Sequence, residues 1–229
     1  MVFIIVPAYN EEKNIGRVVR GLFEQEPRLK QIVGGGVKLI VVDDGSTDNT
    51  ARAARECGAL VLRHALNRGQ GAALETGDSY ARAHGAGYAV HFDGDGQFNP
   101  SDIAPALELM RRENFEVILG SRFLDKRSRV PWLKRFVILP VSRWINYVFI
   151  GLKLTDAHNG FRIFSRSALN RIIITQDRMA HNTEITAAIR KYNLRFKEYP
   201  VEVAYWEMGQ GVGGGLKIVA DLMINKLTR

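Results

Sequence analysis

Residues 88–102 read YAVHFDGDGQFNPSD. The stretch holds three signals in succession. Tyr88–Phe92 is a short apolar run of the kind that forms a buried strand. It ends on two carboxylates, Asp93 and Asp95. Asn99-Pro100-Ser101-Asp102 then starts a helix, with proline near its first position. A strand, an acidic loop and a helix make half of a βαβ unit.

Residues i and i+2 of an extended chain point to the same side, so Asp93 and Asp95 face one way. Two carboxylates so placed repel unless a positive group is shared between them. Gly94 and Gly96 let another group approach closely. A hard divalent cation, Mg²⁺ or Mn²⁺, resolves the repulsion, and Gln97 adds an oxygen ligand. The plain alternative is a solvated Asp-Gly turn. Placement after a buried strand, beside two other polar loops, favours the metal.

The same rhythm runs outward through the first half. Val2–Val6, Lys38–Val42, Leu60–Leu62 and Val117–Leu119 read as further strands. Helices are expected from Asn10, as a cap with Glu11 and Glu12 in the first turn, from Thr47 or Asp48 to Cys57, and from Gly71 to Ala83. Alternation of this kind gives a mainly parallel sheet, with ligands bound beyond the carboxyl ends of its strands. Three polar clusters lie at those ends: Pro7–Glu11, Asp43–Ser46 and Asp93–Gln97. Tyr9 can stack on a base and Glu11 can hydrogen-bond to one. Asp44 is surplus to a helix cap and can accept from a base or ribose. For each of these the plain alternative is a strand stop, a turn or a cap. Asn67–Gly71 offers backbone amides to an anion at a helix start. It lacks the Gly-Lys-Ser/Thr of a phosphate loop, and the first strand lacks a dinucleotide glycine fingerprint.

The second half differs. Pro131–Leu154 interleaves Trp132, Phe136, Trp144, Tyr147 and Phe149 with Lys and Arg, which suits helices lying on a membrane surface or a core helix with a wet basic face. Asp156–Arg166 reads as loop and strand, His181–Tyr192 as helix and Arg195–Val203 as strand. Gly209–Gly215 is a glycine-rich connection, and Leu216–Leu227 an amphipathic helix. No repeat or linker divides the chain.

The composition bounds the function. Lys and Arg number 32 against 24 acids, a net charge of +8, which favours anionic partners without choosing among nucleotide, phospholipid and nucleic acid. No nucleic-acid motif is present. A single cysteine, Cys57, excludes an internal disulfide and suits a reducing compartment. No apolar run reaches about 18 residues. The opening Met-Val-Phe-Ile-Ile-Val-Pro does not read as a signal peptide.

Taken in order, IIVPAYNEEKNI, LIVVDDGSTDNT, NRGQGAALETG, HFDGDGQFNPSDI, GSRF and DAHNGFRIF resemble glycosyltransferase family 2, and HNTEITAAIRKYNLRFKEYPVEV extends the match to residue 203. Within the family the chain is most similar to the dolichyl- and polyprenyl-phosphate sugar synthases. The resemblance implies an α/β, GT-A-type, Rossmann-like single domain, with a mainly parallel sheet flanked by helices. Residues 1–120 would bind the nucleotide sugar. Residues 121–229 would bind the acceptor, with membrane-facing helices at 131–154.

The activity implied is an inverting, metal-dependent hexosyl transfer from GDP-mannose or a UDP-sugar to a polyprenyl or dolichyl phosphate, at the cytoplasmic face of a membrane. By the same resemblance Pro7, Tyr9, Glu11, Asp44 and Asp93 contact the nucleotide sugar. Asp93, Asp95 and Gln97 hold the Mg²⁺ or Mn²⁺. Arg122 and Arg135 hold the acceptor phosphate, while Asp95 serves the reaction centre. A lipid phosphate is already an anion, so it needs positioning rather than deprotonation. A hydroxyl acceptor, glycan or glycolipid, would need a base, for which Asp156 and Glu184 are the candidates. Arg162 is a further basic candidate with a structural role as its alternative. A non-catalytic nucleotide- or nucleic-acid-binding module is the distant third reading. One departure from the family is the loop Glu207–Gly215, which has no basic residue before Lys217.

Overall fold

The computed structural model describes residues 1–125 and 152–204. Arg135, nearly all of the aromatic-basic segment, the glycine-rich connection and the final helix lie outside the described residues.

The first strand, β1 (Val2–Ala8), is buried along its whole length. Val2, Ile4 and Val6 face one layer of helices, α1 (Ile15–Glu24), α2 (Glu26–Val33), α3 (Thr50–Glu56) and α5 (Ile103–Arg112). Phe3 and Ile5 face the other, α4 (Gln70–Ala83), α6 (Arg166–Arg171) and α7 (His181–Lys191). A strand covered on both sides reads as an unbroken apolar run, as this one does. Each fully buried Val, Ile or Phe contributes about 1.5–3 kcal/mol.

The remaining strands are β2 (Val37–Asp43), β3 (Leu60–Arg63), β4 (Tyr88–His91), β5 (Val117–Ser121), β6 (Arg162–Ser165) and β7 (Phe196–Pro200). They form one seven-stranded sheet in the order β3-β2-β1-β4-β6-β5-β7. All neighbouring pairs are parallel except those of β6, which runs antiparallel to both β4 and β5. This is the α/β single domain expected, with a mainly parallel sheet between helical layers.

Two features of this frame place the site. Ala8 pairs with Asp43, so the loops after β1 and β2 leave the sheet side by side. His91 pairs with Arg162, and Leu119 with Arg162 as well. Following those antiparallel registers past the strand ends brings Asp93 opposite Gly160 and sets Arg122 beside the same loop. Helix α4 lies close on β1 because residue 77 is glycine: a Cβ there would sit 2.3 Å from Ile5 Cγ2.

Some local expectations change. Asn10 does not cap α1. It has a φ of 56°, its Oδ1 accepts from Thr47 N at 2.9 Å, and the helix begins only at Ile15. Helix α2 follows α1 directly, with Pro27 in its first turn and Gly34 in a left-handed C-cap. Helix α6 is capped by Ser165, whose hydroxyl accepts from Ala168 N. Neither helix is marked by a long apolar period. Asn99 does cap the turn Pro100–Asp102, as its sequence indicates.

Candidate active site

The loops after β1 and β2 are strapped together before any ligand enters. Asn10 N donates to Ser46 Oγ at 2.9 Å and Glu11 N to Thr50 Oγ1 at 2.7 Å. Asp43 is fully buried, accepts from Ser46 N at 3.1 Å and pairs with Arg63 Nε at 2.9 Å. Asp44 ties this pair of loops to a third. Its Oδ1 accepts from Arg68 N at 3.0 Å and its Oδ2 from Gly69 N at 2.6 Å. The amides before α4 thus meet a carboxylate of the protein itself. Tyr9, half exposed, lines a cleft of about 630 Å³ together with Ser46, Thr47, His64, Leu66 and Asn67. Pro7, the penultimate residue of β1, sits at the foot of this rim.

Asp93 and Asp95 follow β4. Asp93 Oδ1 accepts from Gln70 Nε2 at 2.8 Å. Gly160 is required opposite: a Cβ there would lie 2.1 Å from Asp93 Oδ2. Asp95 Oδ1 accepts from Gln97 N at 2.9 Å, the turn that presents residues 95–97. The Gln97 carbonyl in turn accepts from Ala204 N at 2.9 Å, which fixes the loop's far side.

The charges of this rim are short of a counter-ion. Burial and the neighbouring Asp95 push the Asp93 carboxyl up to about 6, although Arg162, Arg122 and the Gln70 hydrogen bond oppose the rise. Asp95 is also raised, by burial. Glu11 is raised by burial and by the charges of Asp95 and Asp48, against the pull of its Asn14 hydrogen bond. Three acids on two loops are therefore held less ionised than they would be in water. A divalent cation beside Asp93 and Asp95 would offset their repulsion, so this carboxylate pair fits Mg²⁺ or Mn²⁺. Among the described residues no three His, Cys, Asp or Glu side chains converge to enclose an ion alone. That suits these two metals, which bind through one or two carboxylates and complete their shell with water and substrate phosphate.

Across from this rim the charges are paired. Arg122 follows β5, and its Nε and Nη2 reach Asp156 Oδ2 and Oδ1, each at 2.7 Å. Asp156 is 3% exposed at its side chain and also accepts from Asn159 Nδ2 at 3.1 Å. Thr155 N and Asp156 N donate to Glu198 Oε1 on β7, fixing the loop. Arg162 is buried beneath, bonded to Asn182 Oδ1, with its guanidinium lowered to about 10 by burial against the charges of Asp93, Asp156 and Asp78. Asp78 also accepts from His91 Nε2 at 3.0 Å. Glu184 is bound elsewhere: its carboxylate accepts from Thr175 N at 2.8 Å and Gln176 N at 3.0 Å.

The fold thus gathers Pro7, Tyr9, Glu11, Asp44, Asp93, Asp95, Gln97 and Arg122 along the carboxyl edge of the sheet, with Asp156 paired to Arg122. Glu184 holds the segment 175–176. Sequence reasoning passed over His64, Gln70, Asn159 and Gly160. Gln70 and Gly160 stood inside quoted motifs, but their pairing with Asp93 spans 23 and 67 positions and has no local signature.

The fold, a mainly parallel sheet between helical layers with a polar rim at its carboxyl edge, is of the GT-A type. The family model of glycosyl transferase family 2 matches residues 3–173, and the chain belongs to that family. It is 32% identical to a UDP-N-acetylglucosamine–dolichyl-phosphate N-acetylglucosaminyltransferase of Methanococcus voltae, over 99% of this chain and 96% of the relative. It is 25% identical to a polyprenol monophosphomannose synthase of Mycolicibacterium smegmatis, over 91% and 78% of the two chains. Among solved structures it is similar to glucosyl-3-phosphoglycerate synthase of Mycobacterium tuberculosis, crystallised with Mn²⁺ and UDP-glucose, with a TM-score of 0.67 at 20% identity over 97% of this chain and 78% of that one. The chain is a glycosyltransferase whose relatives include polyprenyl-phosphate sugar transferases. Among the described residues no helix is long and apolar enough to cross a membrane.

Proposed function

We propose that this enzyme moves a hexose from a nucleotide sugar, GDP-mannose or a UDP-sugar, to a polyprenyl or dolichyl phosphate. The observation that carries the reading is the closeness of two unlike groups: an acid pair short of positive charge and, near enough to act on its ionisation, the Arg122 guanidinium. The acid pair suits a metal–diphosphate. The guanidinium suits an anionic acceptor, which Arg clamps in a two-pronged grip.

In this account Pro7, Tyr9, Glu11 and Asp44 hold the nucleoside within residues 1–120. Asp93, Asp95 and Gln97 hold Mg²⁺ or Mn²⁺, which would offset charge on the departing nucleoside diphosphate. Arg122 and Arg135 hold the acceptor phosphate within residues 121–229. One oxygen of that phosphate bonds to the anomeric carbon as the bond from this carbon to the diphosphate breaks. A single displacement of this kind inverts the anomeric configuration. No general base is needed, since the acceptor arrives ionised. The engagement of Asp156 with Arg122, and of Glu184 with residues 175–176, weighs against a hydroxyl acceptor. The aromatic-basic segment 131–154 supports peripheral contact with the cytoplasmic face of a membrane, where such an acceptor resides.

The test is a donor and acceptor screen. The protein with Mn²⁺ or Mg²⁺ is given UDP-glucose, UDP-N-acetylglucosamine or GDP-mannose, with and without polyprenyl phosphate, and nucleoside diphosphate release is followed. Release that needs both lipid and metal is expected. Equal release on a glycan acceptor, with no gain from the lipid phosphate, would overturn the reading.

A further inference from the structure

His64 is the first residue past β3, and its backbone N–H donates to Asp43 O at 2.9 Å. Its ring bridges the end of β2 and the side of α4. Nδ1 lies 2.7 Å from Asp44 Oδ1, and Nε2 lies 2.8 Å from Thr76 Oγ1 on α4. The His64 side chain is 10% exposed and that of Asp44 4%. An ionised carboxylate only accepts, so Nδ1 carries a proton. The Thr76 hydroxyl is also 2.9 Å from Ala72 O. With its one proton it either donates to Ala72 O and accepts from Nε2–H, or donates to a bare Nε2. Both arrangements keep the same heavy-atom positions.

Asp44 is the point where the strut meets the site. Its other contacts, Arg68 N and Gly69 N, hold the segment 64–69 against the end of β2. Residues 64–67 of that segment line the 630 Å³ cleft together with Tyr9. The two amides hold the two carboxylate oxygens, but neither ties Asp44 to the body of α4. The imidazole adds a third contact, to Oδ1, and carries it to Thr76 on α4.

We propose that His64 is a positioning residue for the donor: by bridging Asp44 to Thr76 it fixes the wall of the nucleotide cleft and sets the affinity for the nucleotide part of the sugar donor. This rests on the assignment of the cleft to the nucleoside. It concerns binding, not the chemical step.

The full-length protein is titrated calorimetrically with UDP and with GDP in the presence of MnCl₂. The wild type is compared with His64→Ala, His64→Asn and Thr76→Val, each checked for folding by circular dichroism and melting temperature. One of the two nucleotides binds the wild type, and His64→Ala weakens it about tenfold, equivalent to about 1.4 kcal/mol. His64→Asn places an amide N–H where Nδ1 stood and stays within about threefold of wild type. Thr76→Val keeps the shape but cuts the far end of the strut, and weakens binding about threefold. In turnover, His64→Ala raises the donor KM while kcat and the acceptor KM hold. Wild-type affinity in both His64→Ala and Thr76→Val overturns the role of His64 alone. So does a His64→Asn protein as weak as His64→Ala, which would place the effect in packing. Failure of the wild type to bind either nucleotide overturns the cleft assignment together with this inference.

Discussion

The loops after β1, β2 and β4 and the loops after β5 and before β6 share one edge of the sheet but handle charge in opposite ways. On the first side Glu11, Asp93 and Asp95 are all pushed upward by burial and, for Glu11 and Asp93, by the charge of Asp95 as well. On the second, Arg122 and Asp156 already meet in a fork. The donor set of the first side suits a divalent cation. On the second, under the proposed function, an acceptor anion would displace the Asp156 carboxylate from Arg122. A like-charge cluster costs stability, so its retention beside a satisfied pair points to ligand binding on the first side and to pre-positioned recognition on the second.

The comparison can be broken most directly on the acidic side. Asp95→Ala, or removal of metal by EDTA, is expected to lower turnover by about two to three orders of magnitude in a nucleoside diphosphate release assay. On the paired side, Arg122→Met should lower kcat/KM for polyprenyl phosphate by about 10- to 100-fold, with the donor KM unchanged. Where the two sides touch, Gly160→Ala would drive a methyl into Asp93 Oδ2, and Mn²⁺ affinity measured by calorimetry should fall about tenfold.

A smaller effect lies beneath both sides. Burial and the Arg162 charge hold the His181 imidazole down to about 3, against 6.5 when unfolded. The unfolded chain therefore binds the extra proton first, so this contribution to stability is complete above pH 6.5 and is lost as pH falls from 6.5 towards 3. His181→Leu should flatten the fall of melting temperature between pH 6.5 and 4. The smallest effect is expected for Glu184→Gln, which loosens residues 175–176 by about 1 kcal/mol in melting and changes kcat by less than about threefold.

The acidic side was far more legible in the sequence than the paired side. Strands β1, β2 and β4 announce themselves as apolar runs, and the carboxylates follow each directly, so a local reading suffices. The site beyond β5 depends on β6 entering antiparallel between β4 and β5. That insertion is a long-range pairing which no periodicity around Arg162 encodes. It is also what sets Gly160 against Asp93, and why that glycine was read only as part of a motif. Asn10 shows the reverse error. Its type and place suit a helix cap, but a contact 37 residues away with Thr47 takes its side chain and delays the helix to Ile15. His64 had no local mark at all, since its two partners sit 20 and 12 positions away on different elements.

The most direct test of the division between the two sides is metal-dependent nucleotide binding without any acceptor. UDP and GDP would be titrated, with and without Mn²⁺, into wild type, Asp95→Ala and Arg122→Met. The account predicts that Mn²⁺ tightens nucleotide binding in the wild type and in Arg122→Met, and that Asp95→Ala loses the gain. Metal-independent binding in the wild type, or loss of the gain in Arg122→Met with its retention in Asp95→Ala, would contradict it.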